Sequence, residues 1–274
     1  MAQRIYVGST KINKNYLGNN VISQTITPNK WYTPSYAYYN IVDTQSYTSG
    51  SSTLFDLSPA KSNASIVNTS GTNVVYGVSG SIPFIRNNNG INYATNSPRI
   101  AGGDYSTTGL THNIWVKPFD DFFPYESKKI FQIRFAQAGH FWGVGMEKNG
   151  TGGGWFYQVS LVNNTSETSP ETYSYIIPNA GFLDNYHLFS YVWDSGNNIT
   201  MYFDGVQVLT DTTTKSWSGD SGAGSGGCNL FSASNQISGE EFIGYWGSMA
   251  FYKEKWDSTK MLEYYNDTKG NFGR

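Results

Sequence analysis

The sequence predicts an all-β protein, built as an antiparallel sandwich of two sheets. Aromatic residues make up 16% of the 274 residues and charged residues only 14%, whereas charged residues are about 25% of an average globular domain. Tyr, Phe, Val and Thr favour strands, and Gly, Asn and Ser favour the turns between them. Short apolar runs separated by such turns recur along the chain, a spacing typical of antiparallel sandwiches.

The N-terminal residues 1–24 contain an internal repeat. Tyr6-Val7-Gly8-Ser9 is followed by the similar Tyr16-Leu17-Gly18-Asn19, and each copy places Gly at the first position of a tight hairpin turn. Isolated hairpins are only marginally stable in water. The repeat therefore needs support, either from the rest of its own chain or from another chain.

We favour the second alternative and expect residues 1–24 to be an anchoring or oligomerisation element. Residues 25–35 are expected to be a linker, because Pro28 and Pro34 resist placement in a central strand. The sandwich is then expected over residues 36–274. The anchoring residues are expected to be the apolar and glycine positions of the repeat: Ile5, Tyr6, Val7, Gly8, Ile12, Tyr16, Leu17, Gly18 and Ile22.

Within the sandwich, alternating apolar runs predict strands at residues 130–135, 155–161 and 187–194. A hairpin is predicted over 199–209, since Asp204-Gly205 lies between two apolar runs and such a pair is the strongest short hairpin signal. Residues 216–227, rich in Gly and Ser, predict a surface loop. One short helix is predicted over 259–266, capped by Asp257 or Ser258 and closed by Gly270.

Charge, hydropathy and cysteine content exclude several classes of protein. With 18 basic and 20 acidic residues, the chain lacks the basic excess of a protein that binds nucleic acid through phosphates. No apolar run is long enough to span a bilayer, and the N-terminus lacks the apolar core of a signal peptide. The lone Cys228 permits no internal disulfide.

No catalytic or metal site is expected. A glycosidase on this fold class needs two carboxylates facing one cleft, but the adjacent Glu240 and Glu241 would point to opposite faces of a strand. The spacing of His112, His140 and His187 does not match a zinc site. A calcium site remains an alternative, although no acidic loop supports it. We expect no cofactor.

Carbohydrate binding is the activity that the aromatic residues favour. Sugar sites stack an aromatic face on the sugar ring and add a few polar groups. Trp155 and Tyr157 lie two positions apart and would share one face of a strand, and Trp142 precedes them. The alternative is that these three rings fill the sandwich core, as large aromatic residues commonly do.

Several segments, taken in order, resemble the laminin-G-like modules of bacteriophage virion proteins. The resemblance covers roughly residues 36–274, and the N-terminal repeat resembles the short leaders of phage appendage proteins. The segments that carry it are Asn40-Ile41-Val42-Asp43, Leu54-Phe55-Asp56-Leu57, Ile114-Trp115-Val116-Lys117-Pro118, Tyr202-Phe203-Asp204-Gly205 and Tyr264-Tyr265-Asn266-Asp267.

This resemblance implies a concanavalin A-like jelly roll with one short C-terminal helix and a small N-terminal hairpin element. It implies a virion structural protein: a capsid decoration, head fibre or tail appendage. The sandwich would project and bind host surface glycans, while the N-terminal segment would contact other virion proteins or further copies of the chain. A free-standing lectin and a laminarinase-like glycoside hydrolase are the alternatives. Neither nucleic acid nor membrane insertion is expected.

Overall fold

The structure, a computed structural model, describes most of the chain in separate ranges. The backbone is described for residues 2–7, 10–17, 20–27, 30–32, 37–48, 51, 53–59, 61, 63–68, 74–79, 82–87, 92–95, 109–118, 127–134, 141–148, 155–161, 171–178, 182–183, 185–214, 228–230 and 244–274. Side chains are described for residues 30–32, 37–48, 51, 53–59, 61, 63, 109–118, 155–161, 171–178, 182–183, 185–214 and 244–274.

The described elements are almost all strands. They are β1 (Ala2–Val7), β2 (Thr10–Leu17), β3 (Asn20–Thr27), β4 (Ala37–Asn40), β5 (Thr53–Leu54), β6 (Ala64–Asn68), β7 (Val74–Ser79), β8 (Ile82–Asn87), β9 (Asn92–Thr95), β10 (Gly109–Pro118), β11 (Ser127–Arg134), β12 (Phe141–Lys148), β13 (Trp155–Leu161), β14 (Glu171–Ile177), β15 (His187–Asp194), β16 (Asn198–Phe203), β17 (Val206–Thr212), β18 (Cys228–Leu230) and β19 (Gly244–Tyr252), followed by helix α1 (Ser258–Thr268) and a 3-10 turn (Lys269–Phe272).

The strands form an antiparallel jelly-roll sandwich, which confirms the predicted fold class. The large sheet has the order β17-β16-β15-β10-β19-β8-β7, with β4 also paired to β19. The five-stranded sheet has the order β14-β13-β12-β11-β18, and β5-β6-β9 form a small third sheet. Every described pair is antiparallel.

The main core lies between the large sheet and the five-stranded sheet. Tyr157 of β13 donates a hydrogen bond to the carbonyl oxygen of Ser190 of β15 at 2.7 Å. Its ring lies 5.0 Å from that of Phe189, edge to face. Trp246 of β19 and Ile114 of β10 are fully buried in the same cluster. Burial of these side chains stabilises the sandwich by about 25 cal/mol for each Å² of apolar surface removed from water.

The large sheet is also covered on its second face, by helix α1 and the 3-10 turn. Met261 and Tyr264 of the helix are buried, and Trp115 of β10 stacks on Phe272 of the 3-10 turn at 4.9 Å. Coverage on both faces explains why β15, unlike a half-exposed strand, is buried at every position.

The predicted hairpin and helix are confirmed, with one correction. Asp204 and Gly205 have φ angles of 50° and 78°, the conformation that a two-residue type I′ hairpin requires. Asp257 caps helix α1 by accepting a hydrogen bond from the amide of Lys260 at 2.8 Å. The chain leaves the helix through the 3-10 turn and enters the left-handed region at Gly273, not at Gly270.

The N-terminal repeat forms a three-stranded sheet rather than an isolated hairpin pair. Val7 pairs with Thr10 and Leu17 pairs with Asn20, so two residues separate each pair of strands, as the sequence predicts. The third strand ends at Thr27, inside the segment expected to be a linker. Among the described strands, β1, β2 and β3 pair only with one another.

Part of the segment expected to be a linker is packed against the sandwich. The indole of Trp31 lies against Trp256 and Tyr264, with ring centres 5.3 Å and 5.1 Å away, and only 5% of the residue is exposed. Tyr252 donates a hydrogen bond to its carbonyl oxygen at 3.1 Å. Lys30 forms ion pairs with helix α1. Residues 30–32 therefore belong to the helix-covered layer, because an aromatic side chain fixes them there.

Candidate functional site

Two of the three aromatic residues expected to bind sugars are in the core. Trp155 is 4% exposed and Tyr157 is not exposed at all. Both rings belong to the cluster between the sheets, so neither presents a face on which a sugar ring could stack. The structure places both rings in the core, as the alternative interpretation predicts.

Two residues of β13 alternate with these buried rings: Phe156, which lies between them in sequence, and Gln158, which follows them. Phe156 and Gln158 are half-buried, while Trp155, Tyr157 and Val159 are buried. The two sets alternate because successive side chains of a strand point to opposite faces of the sheet. Phe156 and Gln158 therefore lie on the outer face of the five-stranded sheet. Each is one position along the strand from a residue that the sequence indicated.

The neighbouring edge strand continues this outer face. Thr172, Ser174 and Ile176 of β14 are exposed, and 61% of Ile176 is accessible to solvent. Ser174 pairs with Gln158, and Ile176 pairs with Phe156. Cross-strand partners share one face of a sheet, so an apolar pair lies beside a pair of polar side chains on the outer face.

The strand register extends this surface across four strands. The three transverse rows on the outer face, from β11 to β14, are Gln132–Gly143–Ser160–Thr172, Lys129–Gly145–Gln158–Ser174 and Ser127–Glu147–Phe156–Ile176. Together these twelve positions are called the outer-face rows below. Trp142 of β12 is the register partner of Ile133, and its side chain lies outside the described residues.

Two glycines occupy the β12 positions of these rows. Gly143 is aligned with Ser160, and Gly145 is aligned with Gln158. Glycine inside a strand weakens it and often marks a bulge or a position where a ligand or another backbone approaches closely. The register of β11 with β12 shifts beside Gly145. At these two positions the rows carry no side chain, and the described positions next to them carry hydroxyl and amide groups and the aromatic Phe156. Hydroxyl, amide and aromatic groups are the chemistry that binds sugars.

A network around Glu171 fixes the edge strand to the opposite sheet. The carboxylate of Glu171 accepts hydrogen bonds from Thr213 Oγ1 at 2.5 Å, from the Thr214 amide at 3.1 Å and from Tyr173 at 2.6 Å. Partial burial raises the pKa of Glu171, but these hydrogen bonds outweigh it and hold the pKa below its ordinary value. The network connects the start of β14 to the residues that follow β17.

Two further carboxylates of the described residues also accept hydrogen bonds from backbone amides. Asp194 accepts hydrogen bonds from the amides of Gly196 and Asn198 at 2.9 Å and 3.0 Å and pairs with Lys255 at 2.6 Å. Asp204 accepts from the amide of Leu188 at 2.9 Å. Within the described ranges, no three His, Cys, Asp or Glu residues lie close enough to hold a metal ion, and no helix is long and apolar enough to cross a membrane.

Most of the expected anchoring residues lie in the strands of the N-terminal sheet. Ile5 pairs with Ile12, and Ile12 pairs with Ile26, so three isoleucines occupy one transverse row of register partners. Tyr6 pairs with Lys11 and Val7 with Thr10. Tyr16 pairs with Val21 and Leu17 with Asn20, and Ile22 lies at the shift in the β2–β3 register. Gly8 and Gly18 fall outside the described residues. Residues 1–27 carry three basic side chains and no acidic one.

Comparison with known proteins identifies the fold but no family. No family model matches the sequence, and no curated protein matches it. Domain 4 of an extracellular GH43 arabinanase from Geobacillus stearothermophilus, solved with arabinotriose, is similar with a TM-score of 0.56 and 14% identity, over 85% of this chain and 98% of that one.

Two longer proteins contain a similar region. The receptor-binding domain of botulinum neurotoxin type G has a TM-score of 0.55 and 13% identity, over 85% of this chain and 51% of that domain. A sialidase from Trypanosoma rangeli has a TM-score of 0.57 and 10% identity, over 91% of this chain and 34% of the sialidase. This chain thus spans about half of the first protein and a third of the second. The chain has the fold of these β-sandwich domains.

Proposed function

We propose that the protein is a glycan-binding module that uses the outer-face rows of its five-stranded sheet. The observation that carries the proposal is the register that aligns Phe156 and Gln158 with Ile176 and Ser174. It brings an apolar platform beside hydroxyl and amide groups, in rows that carry no side chain at Gly145. A sugar presents an apolar ring face and a rim of hydroxyls, and this surface matches both.

The similar folds support binding as the type of function. One neighbour is a domain holding arabinotriose and another is a receptor-binding domain. Binding rather than catalysis is further supported by the composition of the rows, in which Glu147 is the single carboxylate. Glycoside hydrolysis uses a pair of carboxyl groups roughly 5 to 10 Å apart.

The proposal also places the module on a bacteriophage virion, attached through the N-terminal sheet. The resemblance of the sequence to phage virion modules supports this location. So does the N-terminal sheet, whose strands pair only with one another among the described strands and whose basic residues suit a partner with acidic groups. The partners would be other virion proteins, and the sandwich would project toward host glycans.

The glycan proposal is tested by binding the full chain to an immobilised panel of arabino-, galacto- and gluco-oligosaccharides and sialylated glycans. We expect binding to one class, weakened about tenfold or more by Phe156→Ala, since loss of a stacked ring costs at least 1.4 kcal/mol. Leu262→Ala is the matched control, because Leu262 is exposed on helix α1. Absence of binding throughout the panel, or equal binding by Phe156→Ala, would contradict the proposal.

The attachment proposal is tested by deleting residues 2–27 and measuring incorporation into particles. The truncated chain should retain the unfolding transition of the full chain but fail to join the virion. Equal incorporation would contradict attachment by the N-terminal sheet, and full glycan binding without any particle association would favour a free-standing lectin. Release of reducing sugar from an oligosaccharide of the panel would favour the hydrolase alternative instead.

A further inference from the structure

Strand β14 lies at one edge of the five-stranded sheet as the described strands form it. Its seven residues pair with β13 without a shift in register, and among the described strands it has no second neighbour. Lys, Pro, β-bulges and other charged residues protect such an edge in natural proteins, and β14 contains none of them after its first residue, Glu171. An unprotected edge of this length is a template for pairing with another strand.

The side chains of β14 are suited to an additional strand. Thr172, Ser174 and Ile176 are exposed on the outer face. The one charged residue, Glu171, is at the end of the strand, where its carboxylate is bound by Thr213 and Thr214. A partner strand would therefore meet hydroxyl and apolar groups and no free charge.

We propose that β14 pairs antiparallel with β14 of a second copy of this chain, about a two-fold axis at Ser174. In this register, Ser174 lies opposite itself and Thr172 lies opposite Ile176. On the inner face, Tyr173 lies opposite Tyr175. Aromatic cross-strand pairs stabilise antiparallel sheets, and no pair in this register brings like charges together.

The self-complementary register is what favours a second copy as the occupant. Strand β17, at the edge of the large sheet, differs from β14 in the regularity of its register and in its exposed charge. Its register with β16 shifts between Met201 and Tyr202, and it carries the exposed charge of Asp211. Both features protect an edge against pairing, so the two edges on this side of the sandwich are not equivalent.

Pairing through β14 would join two five-stranded sheets into one. The outer-face rows of the two copies would then be continuous, because Thr172, Ser174 and Ile176 end those rows. Two linked sites raise the avidity for a repetitive ligand without any new contact. The pairing itself rests on the exposure and register of β14 and does not depend on the proposed glycan binding.

The interface is tested by oxidising Ser174→Cys in the full chain and following dimers by non-reducing electrophoresis. Cross-strand Cβ atoms lie about 4.5–5.5 Å apart, within reach of a disulfide after a small adjustment. We expect a linked dimer for Ser174→Cys and none for the matched variant Thr210→Cys, which is exposed on β17. Equal linking in both variants, or none in either, would overturn the proposal.

The register is tested by sedimentation equilibrium of charged variants. Ser174→Lys places two like charges opposite each other and should weaken association about tenfold or more. Thr172→Lys and Ile176→Glu should each weaken it, and the double variant should recover it, because opposite charges then face each other twice. Unchanged association of Ser174→Lys would show that another segment or surface mediates it, and would contradict the proposal. The pairing proposal makes no prediction about glycan binding by these variants, so either proposal can be contradicted without the other.

Discussion

Trp31 contributes to stability although its neighbours in sequence suggest a linker. Its indole packs on Trp256 and Tyr264, and its Nε1 atom donates a hydrogen bond to Asp267 at 3.1 Å. The residue thereby connects the segment that follows β3 to helix α1. Sequence reasoning missed this role because it read Pro28 and Pro34 as separators. The large aromatic residue between them is the signal that could have indicated a buried anchor.

Replacing Trp31 by alanine tests this anchor. Trp31→Ala removes a buried indole and leaves a cavity, so we expect the free energy of unfolding to fall by about 3 to 5 kcal/mol. Urea denaturation measures the change. Leu262→Ala, on the exposed side of the same helix, should change it by less than about 0.5 kcal/mol. A similar small change for Trp31→Ala would mean that residues 30–32 are not anchored.

His112 makes the sandwich sensitive to mild acid. Burial lowers its pKa well below the ordinary value of 6.5, and its ring stacks on Phe251 at 3.9 Å. Below about pH 6.5 the unfolded chain binds a proton at this residue and the folded chain does not. Stability therefore falls as the pH falls, by roughly 1.4 kcal/mol per pH unit from this group.

Urea denaturation between pH 6 and pH 4.5 measures this slope. His112→Phe keeps an aromatic ring beside Phe251 and removes the titrating group, so its slope should be shallower by roughly 1.4 kcal/mol per pH unit. The comparison of slopes is independent of any change in stability at neutral pH. Equal slopes in the two proteins would show that His112 is protonated in the folded state.

At the scale of single elements, the sequence predicted where the strands lie but not which face of a strand is buried. The Asp204-Gly205 pair predicted its hairpin because few residues adopt the required positive φ angles. In β13, by contrast, aromatic residues occupy both faces, and their size did not indicate which set is buried. The polar residues Gln158 and Ser160 carry the phase information, since they mark the face that includes Phe156.

The hairpin also positions the C-terminal helix. A Cβ atom at Gly205 would lie 2.7 Å from Cβ of Tyr265, and the φ angle of 78° is unfavourable for other residues. Gly205→Ala should therefore lower the free energy of unfolding by about 1 to 3 kcal/mol, measured by thermal denaturation. Gly270→Ala is the matched control, because nothing lies within 4 Å of a Cβ atom there. Equal effects would contradict a close hairpin–helix contact.

At the scale of the whole molecule, composition predicted the sandwich but not its layers. Alternation of short strands indicates an antiparallel sandwich. The helix-covered second face of the large sheet depends on contacts between segments far apart in sequence, as does the pairing of β4 with β19. No local signal in the sequence specifies such pairs. The outer-face rows have the same origin, since residues from four strands meet only after the register is set.

The binding affinity of Gly145→Gln for an oligosaccharide tests the central claim, that the outer face of the five-stranded sheet binds glycans. This variant adds a side chain at the centre of the outer-face rows and removes no group. For the oligosaccharide that binds most strongly in the panel, titration calorimetry should show affinity reduced about tenfold or more, with an unchanged thermal unfolding midpoint. Unchanged affinity in the folded variant would contradict the claim.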